Sequence, residues 1–200
     1  MKTFIENLAR MPGLHYWEQR LMGLDFYPRV KKLLRAEGFF EPRRRILEIG
    51  CGQGIVSGWF GRQPYIGTDL DCASLKLAAS RNHGSFLCSD ATRLCFSDSA
   101  FDGVISVGVL HHLDDESFHG HFRETFRVLR PGGKLVIFDS LKPGPRDRFR
   151  SWFSGFERGA YLRTAEQLQQ CLKKSGLSSR SLFKTPTFFL QSYSLVFSKL

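Results

Sequence analysis

Nothing in this chain is apolar for long enough to cross a membrane. The longest apolar run, Val104 to Leu110, has the length of a strand, and the first residues lack the apolar core of a secretory leader. Cysteine is scarce and unpatterned: five residues, with no Cys-x-x-Cys pair and no His/Cys cluster. That excludes the usual metal-ligand spacings, and an odd count without a framework predicts reduced thiols in a cytoplasm. Also missing are a nucleophile elbow, a zinc-ligand spacing and paired carboxylates, so covalent hydrolysis and metal-assisted hydrolysis have no visible constellation. No internal repeat or low-complexity segment occurs.

What remains is a chain of 200 residues with 42% hydrophobic residues and a mean hydropathy of −0.22, enough for a single domain with a substantial core. Its net charge of +10 is unevenly spread. Residues 1–45 carry 10 Lys/Arg against 5 Asp/Glu, while residues 46–139 carry 8 against 11. The basic excess therefore lies in the flanks around a mildly acidic centre. A solvated surface, an anionic substrate, an anionic membrane surface and nucleic acid all fit such flanks.

The most informative stretch is Leu47-Glu48-Ile49-Gly50-Cys51-Gly52-Gln53-Gly54. Ile46, Leu47 and Ile49 suit a buried parallel strand. Glycines at alternate positions then permit a tight turn and close approach to a ligand. A helix over Gly54 to Phe60 would aim its N-terminal amides at that ligand. The spacing departs from Gly-x-Gly-x-x-Gly, because Ile55 stands where that pattern has its third glycine.

An acid two residues before Gly-x-Gly-x-Gly resembles the first motif of the class I S-adenosylmethionine-dependent methyltransferases, within them the type 11 group that acts on small molecules and lipid quinones. Four further segments match in order: Pro64 to Asp69, Ser85 to Ala91, Phe101 to His112, and Arg127 to Asp139 with its Pro131-Gly132-Gly133 turn. The resemblance implies a Rossmann-like α/β fold with a seven-stranded, mostly parallel sheet, helices on both faces and the last strand antiparallel. It also implies S-adenosylmethionine as cofactor and S-adenosylhomocysteine as product. Carried over by position, Glu48, Gly50, Cys51, Gly52 and Gly54 would cradle the methionine part. Asp69 would accept from the ribose hydroxyls and Leu70 would lie against adenine. Asp90 and Ala91 would meet the adenine amine, and Ser106 and Val107 would border the methionine end. Glu48, Asp69 and Asp90 also have an ordinary alternative as loop- or helix-orienting acids.

Within one domain, residues 1–42 read as a helical cap, 43–139 as the cofactor-binding core, 140–164 as a basic aromatic lid and 165–200 as a terminal helix and strands. Asp71 to Asn82 reads as a helix. Asp114 is placed to cap the helix whose Phe118, Phe122, Phe126 and Leu129 form an apolar stripe. Thr164 to Gln167 is a capping box, and Gly176 a stop. Tyr16, Trp17, Arg148, Trp152 and Tyr161 are the candidates for substrate contact.

Methyl transfer from a sulfonium asks the protein mainly to position a nucleophile and exclude water. His111 and His112, after the fourth strand, are the candidate proton acceptors; a purely structural hydrogen bond is their competing role. Ser106-Val107-Gly108-Val109 does not match the Asn/Asp-Pro-Pro-Tyr-like residues of adenine, cytosine and glutamine amino-methyltransferases, and no cysteine nucleophile for cytosine C5 chemistry stands there. The leading expectation is a small, partly apolar and anionic metabolite methylated at O, C or N. RNA or protein as substrate, and a degenerate binding protein, remain as alternatives. Nucleic acid is not the favoured partner.

Overall fold

The computed structural model describes residues 26–144, 147, 161–176, 181–186 and 191–199. Helix α1 (Phe26–Ala36) opens it, followed by strands β1 (Ile46–Ile49) and β2 (Tyr65–Asp69), helix α2 (Cys72–Arg81), and strands β3 (Ser85–Cys88) and β4 (Phe101–Val107). Helix α3 (Asp115–Val128), β5 (Leu129–Leu141), α4 (Ala165–Lys174), β6 (Ser181–Pro186) and β7 (Gln191–Ser198) complete the order. One seven-stranded sheet runs β3-β2-β1-β4-β5-β7-β6. The pairs among β1 to β5 are parallel, whereas β7 is antiparallel to both β5 and β6.

The period-2 alternation of β1 explains the layering. Leu47 and Ile49 pack on one face with Val104, Leu135, Ile137, Phe118 and Phe122, while Ile46 joins Val30, Leu34, Phe39, Ile105 and Val136 on the other. Helix α1 therefore covers one face through Val30 and Leu34, one turn apart, and α3 and α4 cover the other. The capping residues act as expected. Asp114 accepts from the Ser117 amide at 2.8 Å, and Thr164 and Gln167 form the reciprocal box. The expected helix at Asp71 to Asn82 is present with Asp71 as its cap, and Gly176 adopts φ +68° just past α4.

Three expectations are corrected. No α-helix follows the glycine turn; residues 57–59 form only a 3-10 turn. Gly54, Gly58 and Gly61 weaken helix propagation, and the Ser57 hydroxyl donates to the Gly54 carbonyl at 2.6 Å instead of leaving it to a helix. Pro131-Gly132-Gly133 lies within β5, at a register shift opposite Phe101–Gly103, rather than as a separate turn. The thiols are not all reduced: Cys72 and Cys88 are joined in a disulfide, while Cys51, Cys95 and Cys171 are free. The cause is register, because β2–β3 pairing puts Cys88 beside Asp69 and α2 begins three residues later.

Candidate active site

The order β2-β1-β4 makes the gap between β1 and β4 the point where successive crossovers diverge, and an open α/β sheet offers its ligand crevice there. The glycine turn forms one wall. Gly50, Gly52 and Gly54 all have positive φ, at +72°, +51° and +78°. The Gly50 and Cys51 amides both donate to the Thr68 carbonyl, at 2.7 and 2.9 Å, so the turn is pinned to the end of β2. A Cβ on Gly50 would come 2.3 Å from Val109 Cγ2, whereas one on Gly52 would meet nothing within 4 Å. The turn is thus packed against the β4 loop at its base and open at Gly52.

Asp69 closes the corner. Its carboxylate accepts from the Gly52 amide at 2.8 Å and from the Asp71 amide at 2.9 Å. This holds an acid at the open part of the turn. Leu70, 69% exposed, and Leu87, 37% exposed, offer apolar surface beside it. Asp90 is exposed and turned onto its own loop, accepting from the Thr92 amide and hydroxyl at 2.7 and 2.8 Å, with Ala91 following. Ser106, paired with Ile49 in register, is fully buried, and its hydroxyl has no hydrogen-bond partner. Val107 is partly buried next to it. The orphaned hydroxyl lies on β4 opposite the residue that precedes the glycine turn, and such a buried group calls for a polar partner.

Glu48 is placed differently from the other expected contacts. It is 2% exposed and accepts a short hydrogen bond from the Tyr65 hydroxyl inside the core. Burial pushes its carboxyl up to about 8, against the pull of the Tyr65 hydrogen bond. Cys51 is buried too, and burial followed by the charge of Glu48 pushes its thiol well above the ordinary range, which removes it as a nucleophile.

Beyond β4, a 3-10 turn over Leu110–His112 brings the two histidines together, with ring centroids 4.1 Å apart. His111 is buried and His112 exposed. The His111 Nδ1 atom lies 2.5 Å from Asp139 Oδ1. Asp139, at the end of β5, is 1% exposed and also accepts from the Leu110 amide at 2.5 Å and the Ser140 amide at 2.6 Å. Burial raises its carboxyl, but His111 and the two amides together hold it below the ordinary carboxylate value. Asp139 and Arg163 are the residues that sequence reasoning missed as site-builders. Arg163 donates to the carbonyls of Leu110 and Leu113 at 3.0 and 2.8 Å and to Asp115 at 2.8 Å, clamping the histidine turn. Tyr161, 45% exposed, is held at this turn by its amide on the His111 carbonyl at 3.0 Å. Tyr16, Trp17, Arg148 and Trp152 lie outside the described residues. Among the described residues no cluster could hold a metal ion and no helix is long and apolar enough to cross a membrane.

A family model described as a methyltransferase domain matches residues 47–137. Phosphoethanolamine N-methyltransferase 1 of Zea mays is 30% identical over 194 residues, 88% of this chain and 37% of its own length. A probable tRNA methyltransferase 9B of Bos taurus is 34% identical over 113 residues, 56% of this chain and 24% of its own. A phthiotriol/phenolphthiotriol dimycocerosates methyltransferase 1 of Mycobacterium ulcerans (strain Agy99) is 36% identical over 107 residues, 50% of this chain and 38% of its own. The chain thus spans well under half the length of these curated relatives. Magnesium protoporphyrin IX methyltransferase of Synechocystis PCC 6803, solved with bound SAH, superimposes with a TM-score of 0.72 at 18% identity, covering 100% of both chains. The [4+2]-cyclase SpnF gives 0.69 at 19% identity, with 86% of this chain and 80% of its own covered. At such identities these structures speak for the fold.

Proposed function

The chain belongs to the class I S-adenosylmethionine-dependent methyltransferases, and we propose that it transfers the methyl group of that cofactor to a small, partly apolar, anionic metabolite. The observation that carries the proposal is the bond from the Gly52 amide to Asp69, which fixes a carboxylate at the open part of a positive-φ glycine turn. The residues present fit the cofactor. Asp69, partly exposed, would accept from ribose hydroxyls on the lone pairs left beside its two amide bonds, Leu70 and Leu87 offer an apolar wall for adenine, and Asp90 and Ala91 would border that wall. Gly50, Cys51, Gly52 and Gly54 line the methionine end together with Ser106 and Val107, where the unpartnered Ser106 hydroxyl awaits a polar group. When bound, S-adenosylmethionine supplies a methyl group already activated on a sulfonium.

The chain's own contribution is to orient, to exclude water and to move one proton. Asp139 accepts from His111 Nδ1, which fixes the orientation of the ring, and we assign the other nitrogen, Nε2, as the base. An acceptor hydroxyl, amine or carbon acid seated at the end of β4 would give its proton to Nε2 as the new bond forms, and Asp139 would stabilise the resulting imidazolium. His112, exposed and with its ring tilted 41° against that of His111, is the second candidate for this role. Tyr16, Trp17, Arg148, Trp152 and Tyr161 are the proposed substrate contacts, Tyr161 standing on the histidine turn itself.

Similarity to the maize small-molecule enzyme runs through 88% of the chain, against 56% for the tRNA enzyme, and this supports a metabolite over RNA. Titration calorimetry with S-adenosylmethionine and S-adenosylhomocysteine is the first test, followed by a product-release screen of phospho-amine, phenolic and fatty anionic acceptors. Binding of both cofactor forms with turnover on such an acceptor is expected. Binding without turnover on metabolites, but with turnover on RNA, would replace the substrate reading. The absence of all binding would overturn the proposal.

A further inference from the structure

We propose that Cys72 and Cys88 form a reversible redox site whose state sets the affinity of the cofactor pocket; this rests on the cofactor reading above. The two cysteines are 16 residues apart in sequence, with Cα atoms 5.5 Å apart in their bonded state, a span typical of disulfides. Both are exposed, whereas Cys51 and Cys171 are buried, so small thiols and disulfides can reach this pair.

Their position ties them to the pocket. Cys72 is the first residue of α2 and Cys88 the last of β3, opposite Asp69 in register. The two sulfurs lie 3.9 and 3.5 Å from the Leu70 carbonyl oxygen, on the backbone of the residue proposed to face adenine. The bond therefore staples the turn 69–72 to β3. Among the described residues β3 has β2 as its one strand neighbour and three of its four residues are exposed; beside the disulfide, that edge is held by Phe86 packing on Tyr65 and by the Ser89 amide donating to the Asp69 carbonyl at 3.0 Å. Within the turn, Asp69 holds the Gly52 and Asp71 amides, so movement of the turn displaces the proposed ribose acid together with the adenine wall.

In the oxidising direction the two thiols join through their Sγ atoms, losing two protons and two electrons. Glutathione disulfide is the class of acceptor, and it leaves as two molecules of glutathione. A dithiol reverses the step. The cross-link restricts the turn, so reduction is expected to loosen the adenine wall and raise the ordering cost of binding.

The test uses the full chain carrying Cys95→Ser, which removes the other exposed thiol. It is equilibrated in glutathione buffers from oxidising to reducing, trapped with maleimide, and read by mass for the bonded fraction and by calorimetry with S-adenosylhomocysteine. Reduction should raise Kd by roughly three- to tenfold, in step with loss of the bond. Adding Cys72→Ser should give the reduced Kd in every buffer while circular dichroism stays unchanged. Equal Kd in both states would overturn the inference and leave the cofactor reading standing, and so would free thiols across the whole buffer range. Failure of either state to bind would overturn both.

Discussion

Glu48 offers a test in which structure and sequence pattern point to different roles. Its side chain sits in the motif position expected to face the methionine part, yet it is buried against Tyr65 with its carboxyl raised from 4.5 to about 8. A folded value above the unfolded one means that the group's stabilising contribution is complete below pH 4.5 and is lost as pH rises through 8. At about 1.36 kcal/mol per unit, the loss is roughly 3 kcal/mol by pH 7 and a further 1 to 1.5 kcal/mol between pH 7 and 9. Glu48→Gln keeps an acceptor for the Tyr65 hydroxyl and cannot ionise. Thermal unfolding at pH 6, 7, 8 and 9 should show the wild type losing about 2 to 5 °C more than the variant between pH 7 and 9. Parallel pH curves for the two proteins would refute the buried, neutral Glu48. A second readout separates the roles: calorimetry should find S-adenosylhomocysteine affinity within about threefold of wild type, because the carboxyl is spent inside the core. A loss of affinity with an unchanged pH curve would return Glu48 to the cofactor.

His121 makes the complementary case on α3, fully buried with neither ring nitrogen hydrogen-bonded to a side chain or ligand; burial lowers it to about 4 against the raising influence of Asp139. Its folded value lies below the free value of 6.5, so stability falls as pH drops from 6.5 toward 4, by up to about 3 kcal/mol; urea unfolding at pH 7 and 4.5 should show His121→Leu spared that loss. Asp69→Ala should raise the Kd for S-adenosylhomocysteine by about tenfold or more without unfolding the chain, and wild-type affinity by calorimetry would displace the ribose acid. His111→Gln should lower kcat by about a hundredfold with cofactor affinity unchanged and should remove the acidic limb of the pH–rate profile; an unaltered profile would pass the role to His112 or to a substrate that needs no base. Gly50→Ala should abolish binding and destabilise the chain by about 1 to 3 kcal/mol, since φ is +72° and Val109 stands 2.3 Å from the new carbon; a soluble variant with wild-type melting would contradict the packing described.

The parts of the fold legible in the sequence are those written locally. The helix caps at Asp114 and Thr164 each use a side chain three residues from the amide it satisfies, so spacing alone exposes them. The glycine turn announces itself because positive φ at three alternate residues leaves few substitutes for glycine. The same local reading overreached at Gly54 to Phe60, where it took a turn rich in glycine for a helix and overlooked the propensity cost.

What escaped are pairs created by register. Residues Ser106 and Val107 align with Ile137 and Phe138, so the His111 turn just past β4 and Asp139 near the C-terminal end of β5 meet at the C-terminal end of the parallel strands although 28 positions separate them. One residue of slip would send Asp139 to the other face and leave His111 with no acceptor for Nδ1. Glu48 meets Tyr65 through the β1–β2 layer, and Cys72 meets Cys88 through the β2–β3 register, in the same way. In each case the sequence carries the residue types but not the alignment that pairs them. Two consequences follow for this site. The aspartate bonded to His111 belongs to a strand whose pattern reads only as buried core, so a motif search centred on the histidines passes it by. The acid that heads the cofactor motif, by contrast, is drawn away from the loop by a tyrosine seventeen residues on. Strand pairing therefore decides which of the chain's carboxylates remains at the glycine turn, and it leaves Asp69 there.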